Sequence, residues 1–408
     1  MLNRGLVHDF MMGCLAPSRP HMRSKPTQPV HALFLLNSLS VGGAEMQVVS
    51  LINRMDEARF KVSLACIKEG DSLLKKIERP AGLAGLDCLG VKSGFEWTAA
   101  RKLAALIDDH RIDVLICTNM YALLYGWLAR QLCRRKGHVR LVEVFHTTIA
   151  GSRKERWSML LYKQLLYGID LLVYVCQGQA AHWRHQGLRS QKEQIIYNGV
   201  DTRHFSDVWS DNDKAALRRQ HGLQASDYVV GLCAVMRPEK AHGDLLVALR
   251  RLKHEGINIK CLLIGDGPER ARIDAQIEAL DLTDSVRITG MVQDVRPLIA
   301  ACDVMVLASH AVETFSIAAL ESMSLGKPMV MTDIGGAPEQ VTQGNNGLLF
   351  PAGDTQALAQ CLRQLTDASQ RHQMGANAAM RVRRDFDVDR MVCHYENALN
   401  TLASGQGI

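Results

Sequence analysis

Short apolar runs alternate with helix-patterned segments along this chain, and the series starts twice. The first begins at "VHALFLLN" (Val30 onward) and continues through "KVSLACI", "DVLICTN", "RLVEVFH" and "LLVYVC" to "QIIYNGVDTRHF", which runs into a turn at Asn198-Gly199. The second begins at "YVVGLCAVM" and continues through "IKCLLIGDGPE", "SVRITGMV", "DVMVLAS", "PMVMTD" and "NGLLFP". Brief apolar runs between turn signals read as strands buried on both faces. Strands alternating with helices imply a parallel sheet covered by helices. At 408 residues the chain exceeds one ordinary core. The expected fold is therefore α/β, with two Rossmann-like, doubly wound parallel-sheet domains facing a cleft. The expected divisions are a disordered tail at 1–29, domains at 30–205 and 206–385, and a helical segment at 386–408 crossing back toward the first domain.

The composition, 47% hydrophobic and 22% charged, is that of a globular protein. No run approaches the roughly 18 apolar residues of a membrane-spanning helix. The apolar patch near the start is broken by His8, Asp9 and Gly13 and followed by Pro and basic residues, which reads as a tail and not a secretory signal. Eleven cysteines, scattered in apolar runs without a C-x-x-C pair, read as reduced thiols of a cytosolic protein. The net charge of +6 is uneven: 24 Lys+Arg against 16 Asp+Glu in residues 30–205, and 20 against 25 from residue 206 onward. The halves either meet different partners or the imbalance serves solubility alone. No metal site is expected: the sequence contains no H-E-x-x-H and no paired-Asp box, and a G-x-S-x-G elbow is also missing.

Ligands of open parallel sheets bind beyond the carboxyl ends of the strands, so the strand-exit loops carry the candidates. In "VETFSIAALESMSLGKP" a helix is predicted to start near Phe315 or Ser316, with Ser316 as N-cap. The amides of Ile317 and Ala318 would then suit a phosphate. Glu313, just before, could accept from sugar hydroxyls, and Glu321 from a second pair such as a ribose. On spacing alone, a capped surface helix with two solvated acids is the better fit. Arg237 and Lys240 in "MRPEKAHGDLL" could neutralise a diphosphate, or form an ordinary basic loop. "GDGPE" (Gly265 to Glu269) would let backbone approach a ligand, as would Gly42 and Gly43 in "SVGGAE". His146 ends a strand.

These stretches occur together and in order: Gly42-Gly43 with Glu45, His146, "NGVD", "RPEK", "GDGPE", the E-x7-E pair Glu313 and Glu321, and "GGAPE". In this the chain resembles the family-4 retaining glycosyltransferases, which have the GT-B fold. The resemblance covers roughly Val30 to Leu402. It implies that Glu313 holds donor-sugar hydroxyls and Glu321 the ribose of a nucleotide. Amides around Phe315, Ser316 and Ile317 would bind sugar hydroxyls and the distal phosphate. Lys240, assisted by Arg237, would balance the diphosphate, with Gly43 approaching from the first domain. His146 would contact the donor sugar, and Met291 and Val292 would offer backbone to the base. It implies no metal and no cofactor beyond the nucleotide-sugar co-substrate. One departure stands out. The family pattern reads G-R-L-x-P-E-K-G, whereas here Val235 takes the arginine's place and Ala241 that of the glycine; Arg237 is the nearest substitute.

The implied activity is hexosyl transfer from a UDP-sugar, or a GDP-sugar, to a glycan or lipid-linked acceptor in polysaccharide, lipopolysaccharide or glycolipid synthesis, at the cytoplasmic face of the membrane. The basic stretches Ala129–Arg140 and Gly151–Trp157 would favour an anionic membrane surface or carrier, or form a solvated face. No nucleic-acid partner is expected. The alternatives are a GT-B relative with other sugar-nucleotide chemistry, such as an epimerase, and an inactive sugar-nucleotide-binding partner.

Overall fold

The computed structural model describes residues 28–40, 42–70, 72–78, 83–146, 159, 162–310 and 313–405. The first sheet is built from β1 (Val30–Leu36), β2 (Phe60–Cys66), β3 (Leu83–Cys88), β4 (Val114–Thr118), β5 (Arg140–Phe145), β6 (Leu171–Tyr174) and β7 (Glu193–Ile195). Its order is β3-β2-β1-β4-β5-β6-β7, and its pairings are parallel. The second sheet contains β8 (Tyr228–Cys233), β9 (Ile259–Ile264), β10 (Val286–Gly290), β11 (Val304–Leu307), β12 (Met329–Thr332) and β13 (Gly347–Phe350). Its order, β10-β9-β8-β11-β12-β13, repeats the winding of the first. The strands expected from the apolar runs all form. β3 is the one the apolar runs do not announce: "LAGLDC" is a half-exposed edge strand containing a glycine, so it lacks the apolar signature of its buried neighbours.

Helices cover both faces of each sheet and bury the residues their periodicity selects. The helix Trp97–Asp109 turns Ala99, Ala100, Leu103, Ala104 and Ile107 inward. The C-terminal helix, Val388–Ala403, buries Met391, Val392, Tyr395, Leu399 and Leu402 and lies on the first domain. There Gln47 donates to the Tyr395 hydroxyl at 3.3 Å, and Glu396 accepts from the Asp56 amide at 2.7 Å and from Arg59 at 2.9 Å. The outgoing and returning chain segments meet at the "NGVD" turn: Val200 and Asp387 form a bridge, and a Cβ on Gly199 would come within 2.7 Å of Val388 Cα. Among the described residues, no helix is long and apolar enough to cross a membrane.

Candidate functional site

In each sheet the winding reverses once, between β1 and β4 and between β8 and β11. A crevice opens at such points beyond the strand ends. Gly42 and Gly43 follow β1, Arg237 and Lys240 follow β8, and Glu313 follows β11. The sequence-predicted residues thus lie on loops flanking the two reversals.

Lys240 ends a short 3-10 turn, Pro238–Lys240. Its Nζ lies 2.7 Å from Glu313 Oε2, and Ser309 Oγ donates to the same oxygen at 2.8 Å. The two charges expected on different parts of a donor are thus paired with each other. Ser309, buried at the exit of β11, was not singled out from the sequence; its signal is its place four residues before Glu313. Ala241, where the family pattern has glycine, adopts φ 47° and ψ 45°, a left-handed conformation costly for a residue with a Cβ.

Arg237 is brought elsewhere. Its side chain is 59% exposed with Nη1 4.0 Å from Glu239, and it lines a shallow pocket with Glu269 and Arg272. Among the described residues it makes no contact with Glu313. The "GDGPE" turn also differs from expectation. On the Cβ side its glycines admit protein: Cβ atoms on Gly265 and Gly267 would strike the backbone of Ala234 and Met236. Met236 in turn donates to Asp266 O at 2.9 Å and accepts from the Glu269 amide at 3.0 Å. The turn is the seat of the Lys240 loop.

The helix following Glu313 runs Ile317–Ser324, capped by Ser316 Oγ on the Ala319 amide at 3.2 Å. The Ile317 and Ala318 amides, in its first turn, lie outside that cap. The Ser316 amide, expected to face ligand, is instead committed to Gln340 Oε1 at 3.1 Å, and Gln340 returns a bond to Ser316 O at 2.8 Å. The Phe315 ring also turns inward, against Tyr197 and Phe386, with centroids at 5.1 and 5.2 Å. Behind it, Cβ atoms on Gly335 and Gly336 of "GGAPE" would strike the Glu313 and Thr314 carbonyls. Glu339 of the same motif crosses to the first domain, accepting from the Gln177 and Gly178 amides at 2.9 and 2.7 Å and from the Tyr197 hydroxyl at 2.8 Å.

Glu321 has no side-chain hydrogen bond among the described residues. Burial pushes its carboxyl up to about 7, against a smaller opposing pull from Lys76 of the first domain. His146 joins the same region through its backbone: its carbonyl accepts from Thr314 Oγ1 at 2.9 Å, and its amide donates to Asn119 Oδ1 at 3.2 Å. Its Nε2 is buried and unpartnered among the described residues, and burial lowers the ring to about 4, so it is neutral at pH 7. The β1 glycines divide. The space beside Gly42 is filled by the Glu45 carboxylate, whereas a Cβ on Gly43 would lie 3.7 Å from Ile317 Cδ1, facing the second domain. Val292 is half-buried beside a 72% exposed Met291. In the basic stretch Ala129–Arg140, Arg130 and Arg140 pair with Asp170 at 2.9 and 3.2 Å, and Arg135 with Asp113 at 3.2 Å. The stretch Gly151–Trp157 lies outside the described residues.

Two family models match the chain and together span both sheets: Glycosyltransferase Family 4 over residues 41–204 and Glycosyl transferases group 1 over residues 213–381. The chain is 28% identical over 312 residues to N-acetyl-alpha-D-glucosaminyl L-malate synthase of Bacillus anthracis, covering 74% of this chain and 78% of that one. It is 25% identical to a GDP-mannose-dependent monoacylated alpha-(1-6)-phosphatidylinositol monomannoside mannosyltransferase of Corynebacterium glutamicum, covering 74% and 80%. Among solved structures it superposes on Anabaena HepE in complex with UDP-glucose with a TM-score of 0.80 at 24% identity, covering 91% and 99%. With two parallel-sheet domains of matching winding and both halves matched, the chain belongs to the family-4 glycosyltransferases and has the GT-B fold.

Proposed function

We propose that this glycosyltransferase is a retaining, metal-independent enzyme that moves a hexose from a UDP-sugar to a glycan or lipid-linked acceptor in cell-surface polysaccharide or glycolipid synthesis. It would work in the cytoplasm, at the inner face of the membrane. The observation that carries the reading is the Lys240–Glu313 pair just ahead of the helix Ile317–Ser324, whose Ile317 and Ala318 amides lie outside the Ser316 cap. A nucleoside diphosphate sugar offers each member a new partner. Its diphosphate would take Lys240 and the helix amides, its hydroxyls would take Glu313, and its ribose would take Glu321. Lys240 would stabilise the charge that develops on the departing diphosphate. The neutral His146 ring would accept from or donate to the sugar without adding charge.

UDP is placed before GDP because HepE, of the same fold, is bound to UDP-glucose; the mannosyltransferase relative is GDP-mannose-dependent and keeps GDP in the test. Thermal-shift screening against UDP, GDP and ADP sugars tests the donor. Turnover retained in EDTA tests metal independence, and the anomeric NMR coupling of the product tests retention. Binding of none of the three nucleotide classes would defeat the reading.

A further inference from the structure

The first domain carries an aromatic wall that the donor site does not use. Phe95 and Trp97, in the loop after β3 and at the first turn of the next helix, are 41% and 55% exposed. Such exposed large rings are informative where they form a patch. They are held in place and not loose. Phe95 stacks on the fully buried Tyr125 at 5.2 Å and meets Trp97 edge-on at 5.4 Å. The Tyr125 hydroxyl accepts from the Glu96 amide at 2.9 Å, and the Tyr121 hydroxyl donates to the Gly94 carbonyl. Lys68, after β2, sits 5.6 Å from the Tyr121 ring centroid. The wall therefore has a rigid apolar face with an ammonium at its edge. The Glu96 carboxylate, between the two rings in sequence, accepts from the Lys92 amide through Oε1 at 3.1 Å, and its Oε2 has no hydrogen-bond partner among the described residues.

Its location connects it to the cleft. Lys68, the Phe95 loop and Tyr121 all lie beyond the carboxyl ends of β2, β3 and β4. Tyr121 is within one helical turn of Asn119, whose side chain holds the His146 amide. We propose that Phe95 and Trp97 form an acceptor subsite that stacks a pyranose ring, with Lys68 and Glu96 available to its hydroxyls. This rests on the reading that the acceptor is a glycan. A pyranose has a face of axial C–H groups and a rim of hydroxyls, which matches an aromatic wall with polar edges. A bilayer fits less well. Beyond Trp97 the helix Trp97–Asp109 turns Ala99, Ala100, Leu103, Ala104 and Ile107 inward, so among the described residues this helix adds no apolar face for lipid.

The test is saturation-transfer difference NMR on the full chain with UDP present. The probes are methyl α-D-glucopyranoside, methyl α-D-mannopyranoside, maltose and cellobiose, with sorbitol as a ring-free polyol. Ring C–H signals are expected from at least one pyranoside and none from sorbitol. Trp97→Ala should weaken that binding about tenfold, one stacked ring's contribution, and Trp97→Phe should restore it, with UDP affinity as in the wild type. Should Trp97→Ala fail to fold, Phe95→Leu and Lys68→Ala interrogate the same wall. Pyranoside signals indifferent to Trp97 overturn the proposal. So does Trp97-dependent binding to phosphatidylglycerol vesicles without any pyranoside signal. Loss of UDP binding in the wild type would instead defeat the donor reading and is scored separately.

Discussion

Glu321 offers a perturbation with opposite effects on stability and binding. Burial raises its carboxyl from 4.5 to about 7. Between those values the folded chain holds a proton that the unfolded chain has released. Stability from this group is therefore fully present below about pH 4.5 and is lost as pH rises to about 7. At about 1.4 kcal/mol for each pH unit of separation, the ionised carboxylate costs at most about 3 kcal/mol above neutrality. Glu321→Gln keeps the shape and removes the ionisation. It should stabilise the unliganded protein at pH 8 by up to about 3 kcal/mol, and by little near pH 5, where the native carboxyl is already neutral. For a domain of this size that is a rise in Tm of several degrees, at about 2–4 °C per kcal/mol. Urea unfolding at the two pH values measures it. An equal gain at both would show that packing, not ionisation, is responsible, and no gain at pH 8 would refute the buried-charge argument. The same variant should bind UDP more weakly. In the wild type, ribose hydroxyls donating to the ionised form would expel a proton, which calorimetry in two buffers of different ionisation enthalpy detects at pH 7.

Lys240→Ala should lower turnover by about 100- to 1,000-fold, whereas Arg237→Ala, whose side chain is exposed and away from Glu313, should stay within about twofold; steady-state assays with the best donor compare them. Ala241→Gly should raise stability by up to about 1 kcal/mol, since relief of the left-handed strain outweighs glycine's extra freedom when unfolded; the urea midpoint reads this. Gln340→Ala should cost about 2 kcal/mol, because it strands the buried Ser316 amide while the Ser316 carbonyl keeps the Leu320 amide at 3.3 Å; a lower calorimetric Tm would show it.

The apolar runs made both sheets legible because each central strand is buried on two faces and so reads as a short, mostly apolar run. β3 was not legible because an edge strand may alternate, carry Gly85 and stay half-exposed. Ser316's cap was readable from its place before an apolar helix. The commitment of its amide to Gln340 was not, since that bond joins residues 24 apart through a loop fold that no local pattern encodes. Arg237 was placed by charge and proximity in sequence alone. In the loop fixed by Ala241 and by the backbone seat at Met236, its side chain lies exposed near Glu239 while that of Lys240 reaches Glu313. Ser309 carried only its spacing from Glu313, too weak a signal without the strand exit that aims it.

The motif glycines take a different meaning from this. Gly265 and Gly267 admit the backbone of the Lys240 loop, and Gly335 and Gly336 admit that of the Glu313 loop. The loop that carries each charged residue of the central pair is thus backed by a second loop that meets its main chain. Methyl groups at these glycines would push the two loops, and the Lys240–Glu313 distance of 2.7 Å would change with them. The side chains facing the cleft supply the chemistry, while the glycines behind them set where those side chains stand. A short ion pair between loops that exit β8 and β11, on either side of the winding reversal, needs both supports at once. That is a physical reason for the two glycine motifs and the two charged residues to occur in one chain.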